Sequence, residues 1–137
     1  MSVVYREFNN VAEFMKSIDD ELGEHRKKLG ELLRKLEELR VKAEQEKKIK
    51  TVLSKLGVPE TAPQNIVEMK NVKLIMNPTP AQEISNLEAA IESLNAKVSQ
   101  LTAIKKDLEV LGGLDVEVKL TVIYVEGLPK TVLIRFT

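Results

Sequence analysis

Two long stretches of heptad-patterned apolar residues, each bounded by helix start and stop signals, constrain this chain more than any other feature. The first runs over residues 10–56. Met15, Ile18, Leu22, Leu29, Leu32, Leu36, Leu39, Ala43 and Leu53 recur at three- and four-residue spacing, which lines one side of an α-helix. Asn10 followed by Glu13 makes a capping-box start, and Gly57 with Pro59 makes a stop. His25, Glu46 and Lys50 interrupt the seam, and Ile49, Val52 and Leu56 pick up a shifted stripe, as a stutter produces. The second stretch covers residues 79–111. Thr79 is its N-cap, Pro80 its first helical residue, Gln82 completes the box, and Gly112-Gly113 closes it. Its seam is Ile84, Leu87, Ile91, Leu94, Val98, Leu101 and Leu108, with Lys105 out of place.

The rest of the chain has strand character. After a Pro-bearing loop (Pro59, Pro63), Ile66 to Met76 is rich in β-branched residues around Asn71, which predicts one strand or a tight hairpin about Lys70-Asn71. From Leu114 onward apolar and polar residues alternate, pause at Glu126-Gly127-Leu128-Pro129, and alternate again. That pattern predicts a β-hairpin with Val116, Val118, Val122, Ile134 and Phe136 on one buried face and Glu117, Lys119 and Arg135 turned outward. Val3 to Phe8 reads as a further short strand. The expected fold class is α+β: two long antiparallel coiled-coil helices with a small antiparallel β element between them and a C-terminal β-hairpin, in a single elongated domain over residues 1–137. At ~1.5 Å per residue the helices span about 70 and about 50 Å, so the first overhangs the second by roughly 14 residues. Glycine costs about 1 kcal/mol inside a helix, which makes Gly23 or Gly30 the expected place for a break.

Composition narrows the function classes. There is no cysteine and a single histidine, so thiolate chemistry is excluded and histidine-based metal sites are nearly so. Neither a P-loop nor a GxGxxG, GxSxG or HExxH motif occurs. A non-enzymatic protein without cofactor or metal is expected. Apolar runs fall far short of the ~20 residues that span a bilayer, and the N-terminus lacks a signal-like apolar region, so the expected location is cytoplasmic, off the membrane. Lys+Arg and Asp+Glu are both 21, but the charges are blocked. Residues 1–25 carry 2 positive and 6 negative side chains, net −4, and residues 26–50 carry 10 and 5, net +5. Residues 79–111 carry 3 and 5, net −2. A helical hairpin would set the basic block against the acidic second helix.

That basic block supports an alternative function, a nucleic-acid-associated architectural subunit. It would track phosphates with Arg26, Lys27, Lys28, Arg34, Lys35, Lys47 and Lys48. No aromatic residue is interleaved for base stacking. A solvated helix laced with pairs such as Glu31–Lys35, Glu38–Lys42 and Glu44–Lys48 explains the same residues. His25, one turn after Glu21, reads as a polar seam residue that sets register.

The seams themselves carry the leading expectation. Leu33, Val41, Ile104 and Val110 widen them beyond what one two-helix hairpin can bury. Self-association into a homodimer or higher oligomer, or pairing with a related coiled-coil protein, is therefore expected. Val11, Phe14, Ile18, Leu22 and His25, on the overhang, are the expected subunit contact.

The arrangement over Leu29–Leu111 resembles prefoldin, specifically its β-type subunits: a heptad helix, a Pro-bearing loop, the piece IVEMKNVKLIM, and a second heptad helix opening NPTPAQEISNLEAAIESLNAKV. The resemblance implies that a short hairpin at Ile66–Met76 joins the helices and assembles the oligomer. It also implies a holdase role toward unfolded clients. Two departures stand beside it: the hairpin of 114–137 is appended where prefoldin arms end in free tips, and the acidic overhang of Val3–Leu22 carries a strand.

Overall fold

The computed structural model describes residues 3–62, 64–114 and 116–136. Pro63, Asp115 and Thr137, which the sequence pattern assigns to the loop and the tail, lie outside the described residues. The fold is α+β. Strand β1 (Tyr5–Phe8) leads into α1 (Val11–Lys55), the short strands β2 (Ile66–Glu68) and β3 (Lys73–Ile75), and then α2 (Pro80–Leu108). A 3₁₀ turn (Glu109–Gly113) follows, and β4 (Val118–Val125) and β5 (Leu128–Phe136) complete the chain.

Three of the four helix ends are formed by the residues that signal them; α2 stops at Leu108, short of the expected Leu111, and Gly112-Gly113 lie in the 3₁₀ turn that follows. The Asn10 side chain accepts from the Glu13 amide at 2.8 Å, while the Glu13 carboxylate accepts from the Asn9 amide at 3.1 Å, one residue earlier than in a standard capping box. At α2 the box closes on itself: Gln82 N–H donates to Thr79 Oγ1 (3.2 Å) and Thr79 N–H to Gln82 Oε1 (3.0 Å). Helix α1 ends in a Schellman motif. The Val58 amide donates to the Leu53 carbonyl and the Gly57 amide to Ser54, with Gly57 at φ 83°, the left-handed conformation that a Cβ disfavours.

The described chain falls into two compact units, Met1–Leu29 with Glu92–Thr137, and Gly30–Ile91. The first is built on an antiparallel sheet in the order β1-β4-β5. Tyr5 pairs with Ile123 and Phe8 with Leu120, so the N-terminal strand completes the C-terminal hairpin. Glu126 (φ 54°) and Gly127 (φ 79°) both take positive φ in the β4–β5 turn, the requirement of a two-residue type I′ hairpin. On the helix side of the sheet, Phe8, Val118, Leu120, Val122, Tyr124 and Leu128 close over Phe14, Ile18 and Leu22 of α1 and Leu101 of α2. Val11, Met15, Val98, Ile104, Leu108, Val132 and Ile134 pack around this core. The Phe8 and Phe14 rings lie 5.1 Å apart, and Arg6 stacks over Phe8 at 4.7 Å. Burying each large side chain here contributes roughly 1.5–3 kcal/mol. Asp19 pairs with Lys105 at 2.6 Å, joining the two helices within this unit.

In the second unit Leu36, Leu39 and Ile91 are buried. β2 and β3 form an antiparallel hairpin, Ile66 opposite Ile75 and Val67 opposite Leu74. The Met69 amide donates to the Val72 carbonyl across the turn, so the tight hairpin about Lys70-Asn71 is the form adopted.

Several expectations are corrected. Helix α1 runs unbroken through Gly23 and Gly30. Leu22 is buried and Leu29 half-buried beside them, and that packing offsets the glycine cost. Phe14, Ile18 and Leu22 are buried by their own chain and not left for a neighbour, because β1 brings the terminal sheet over the overhang. The tail's buried face is displaced: Val118 and Val122 are buried and Ile134 half-buried, but Val116 is 56% exposed and Phe136 71%. Val116 precedes the first ladder residue, and Phe136 ends an edge strand with a neighbour on one side only. Thr121, a polar residue of the alternating stretch, is 1% exposed: it sits in the central strand between Glu7 and Leu133, and Arg135 donates to its hydroxyl at 2.7 Å. Of the seam leucines, Leu36 and Leu101 are buried, whereas Leu32, Leu87 and Leu94 are only half-buried. The ion pair that joins the helices in the first unit links the acidic start of α1 to the basic end of α2.

The core predicts a contrast between two apolar truncations. Leu101→Ala should lower unfolding free energy by about 2–5 kcal/mol in a denaturant titration. Val110→Ala, at a site 77% exposed, should change it by less than about 0.5 kcal/mol. Equal losses would show that Leu101 does not anchor this core.

Candidate interaction surfaces

The largest run of exposed apolar side chains lies along residues 49–76 of the second unit. At about 100° per residue, Ile49, Val52 and Leu56 come out on the side of α1 opposite the seam of Leu29, Leu36 and Leu39. All three are more than half exposed. Beyond the helix, Val58, Ile66, Val67, Met69, Val72, Leu74 and Met76 are exposed as well. Because strand side chains alternate, the Ile66–Ile75 pair occupies one face of the hairpin and the Val67–Leu74 pair the other. Both faces carry apolar pairs, with Glu68 and Lys73 beside Ile66 and Ile75, and among the described residues both edges of the two strands are unpaired.

An amide clasp holds this hairpin. Asn65 Nδ2 donates to Gln82 Oε1 at 2.7 Å, and Gln82 Nε2 donates back to Asn65 Oδ1 at 2.9 Å. The Asn65 carbonyl accepts from the Met76 amide, and Asn77 turns the chain at φ 46°. Gln82 thus caps α2 and tethers the base of the hairpin with one side chain. The capping half of this role is visible in the sequence; the Asn65 half is not, because it joins residues that no periodicity links.

The expected contact residues of the overhang are mostly spent. Phe14, Ile18 and Leu22 are core and Val11 packs against it. His25 is half-buried, its Nε2 3.6 Å from Glu21 Oε1. It lines an open hollow of about 630 Å³ together with Arg6, Ser17, Asp20, Glu21, Glu24, Lys97 and Tyr124. Two of its carboxylates are already engaged, Glu21 with His25 and Asp20 with Lys16 at 2.8 Å. Among the described residues no three His, Cys, Asp or Glu side chains are grouped to hold a metal ion. Burial pushes the Tyr124 phenol above its usual 10.0, with Arg6 opposing and Glu21 adding to the shift.

The basic run is solvent-facing: Arg26, Lys27, Lys28, Arg34, Lys35, Lys47 and Lys48 are all exposed. At about 100° per residue they point to every side of the helix, with Glu31, Glu37, Glu38, Glu44 and Glu46 between them. No helix among the described residues is long and apolar enough to cross a membrane. Comparison with protein-family models, with curated proteins and with solved structures finds no match to this chain.

Two predictions follow from this geometry. In a double-mutant cycle, Asn65→Ala and Gln82→Ala should be coupled by about 0.5–3 kcal/mol; strict additivity would remove the clasp. The raised Tyr124 phenol favours the protonated form in the folded state. Its contribution is fully present below the unfolded value of about 10 and is lost as pH rises through the folded value. Wild type should therefore lose stability above that pH faster than Tyr124→Phe, and parallel alkaline profiles would contradict this.

Proposed function

We propose that this protein is a non-enzymatic coiled-coil assembly protein, an oligomerising adaptor of prefoldin-like build, and that copies join through the β2–β3 hairpin and the apolar end of α1. The observation that carries the proposal is the hairpin itself. A lone two-stranded hairpin is marginal in water, and this one has exposed apolar residues on both faces and, among the described residues, two bare edges. Burying one Val, Leu, Ile or Met side chain removes roughly 60–120 Å² from water. With the side chains of 49–76 about half exposed, the apolar surface is on the order of 500 Å², the size of the largest patch on a typical monomer, which is often functional.

A second copy suits it because hairpins extend one another's ladders edge to edge while sharing apolar faces. The resemblance to prefoldin supports the same use of this hairpin. The sheet packed on the helix segments of the first unit takes the place of free helix tips, which favours an adaptor over a holdase that grips unfolded clients there. Nucleic-acid binding is the weaker alternative, since the cations form no one-sided track.

Light scattering at micromolar concentration should give a mass above the 15.4 kDa of one chain. Val67→Lys with Leu74→Lys, on one hairpin face, should lower that mass without loss of helical circular dichroism. A 15.4 kDa wild-type species would overturn the proposal.

A further inference from the structure

Strand β5 is an edge, and a long one. Nothing among the described residues pairs with its outer side from Leu128 to Phe136. The opposite edge, β1, has four residues against nine in β5. Leu133 is 44% exposed and Phe136 71%, while Val132 and Ile134 reach the core only in part. A register shift between Ile123 and Tyr124, where Thr131 and Pro129 are their partners, leaves Lys130 as an extra residue on β5. The clean edge is therefore 131–136.

We propose that β5 is a second, independent self-association site: two copies pair antiparallel about Leu133, joining their sheets into one of six strands in the order β1-β4-β5-β5-β4-β1. Unpaired backbone groups along an edge are a template for another strand, and the side chains select both the partner and the register. The helices pack on one face of the sheet. A two-fold axis perpendicular to the sheet keeps both helix layers on the same side, and it pairs residues of the same parity. Centring on Lys130 would oppose Lys130 to itself, and centring on Arg135 would oppose Arg135 to itself; like charges directly opposite are destabilising. Centring on Val132 draws Pro129 into the ladder, where it has no N–H to donate.

Centring on Leu133 avoids all three. It sets Leu133 against its equivalent, Thr131 against Arg135, and Val132 against Ile134, so that the half-covered aliphatic pair on the helix side continues the core from one copy into the next. Just beyond the ladder it brings Phe136 toward the bulged Lys130, a cation near an aromatic ring and not near another cation. Lys130 and Arg135 are the charges usually found guarding an edge. Here they lie either side of Leu133, so they disfavour the registers centred on either of them and leave this one open, while centring on Ile134 would set the apolar Leu133 against Arg135 and Val132 against Phe136.

The absence of cysteine makes the register directly measurable. The test uses the full chain carrying Val67→Lys and Leu74→Lys, so that its outcome is separate from that of the hairpin contact. In this background Leu133→Cys, treated with a short thiol-to-thiol crosslinker, should give a covalent species of twice the 15.4 kDa chain mass. Thr131→Cys and Arg135→Cys should each crosslink at least tenfold more slowly alone, and mixing the two should restore the fast reaction. No dimer from Leu133→Cys in protein with wild-type circular dichroism would overturn the proposal, as would equal self-crosslinking at all three positions. Leu133→Lys gives a reading without cysteine: it opposes two ammonium groups and should halve the mass seen by light scattering at a concentration where its parent is dimeric. An unchanged mass would also overturn the register.

Discussion

The fold depends on one apolar layer, formed where Phe14, Ile18 and Leu22 of α1 and Leu101 of α2 meet Phe8, Leu120 and Val122 of the sheet. The layer draws on both ends of the chain and on both helices. None of these elements can bury its apolar side alone: β1 has four residues, and the β4–β5 hairpin has one face to cover. Their association is mutual, which is the cooperativity expected of a single core. The Phe8–Phe14 contact and the Asn10 cap lie on the same short turn, so the chain enters α1 with its first core residue already set against the sheet.

That closure determines where the remaining apolar surface lies. Once the sheet covers the start of α1, the exposed apolar side chains are concentrated in residues 49–76 and along the sheet edge. The stutter near Glu46 moves the stripe of α1 to the opposite side, and the Asn65–Gln82 clasp holds the hairpin at the α2 N-terminus with its apolar faces free. The proposed assembly role rests on this division between a sheet-covered core and an exposed apolar hairpin.

Much of this was legible in the residues. Three of the four helix limits fell within a residue or two because Asn10, Gly57, Thr79 and Pro80 act locally, and local hydrogen bonds dictate caps; α2 instead stops at Leu108, three residues before the expected end, where the chain tightens into the 3₁₀ turn. The C-terminal hairpin was legible from alternation and from Glu126-Gly127. What pattern could not supply was long-range pairing. The strand at Tyr5–Phe8 was expected, but nothing in its four residues says that it joins β4 and covers the overhang; hence Phe14, Ile18 and Leu22 looked like surface for another chain. Period alone also misplaced Val116 and Phe136, because the ladder's end decides their burial, and it gave no sign that Thr121 is buried in the central strand. For the interaction surface, the shift of the stripe at Ile49, Val52 and Leu56 was readable from the spacing, whereas its exposure and the clasp were not.

The most direct test of the account is amide hydrogen exchange at two protein concentrations, one well below and one well above that at which mass rises. Amides of Ile66–Ile75 should gain protection with concentration, while those of Leu120 and Val122 in the sheet centre stay equally protected at both. Concentration-independent exchange across the hairpin would contradict the claim that its apolar faces are completed by a second copy.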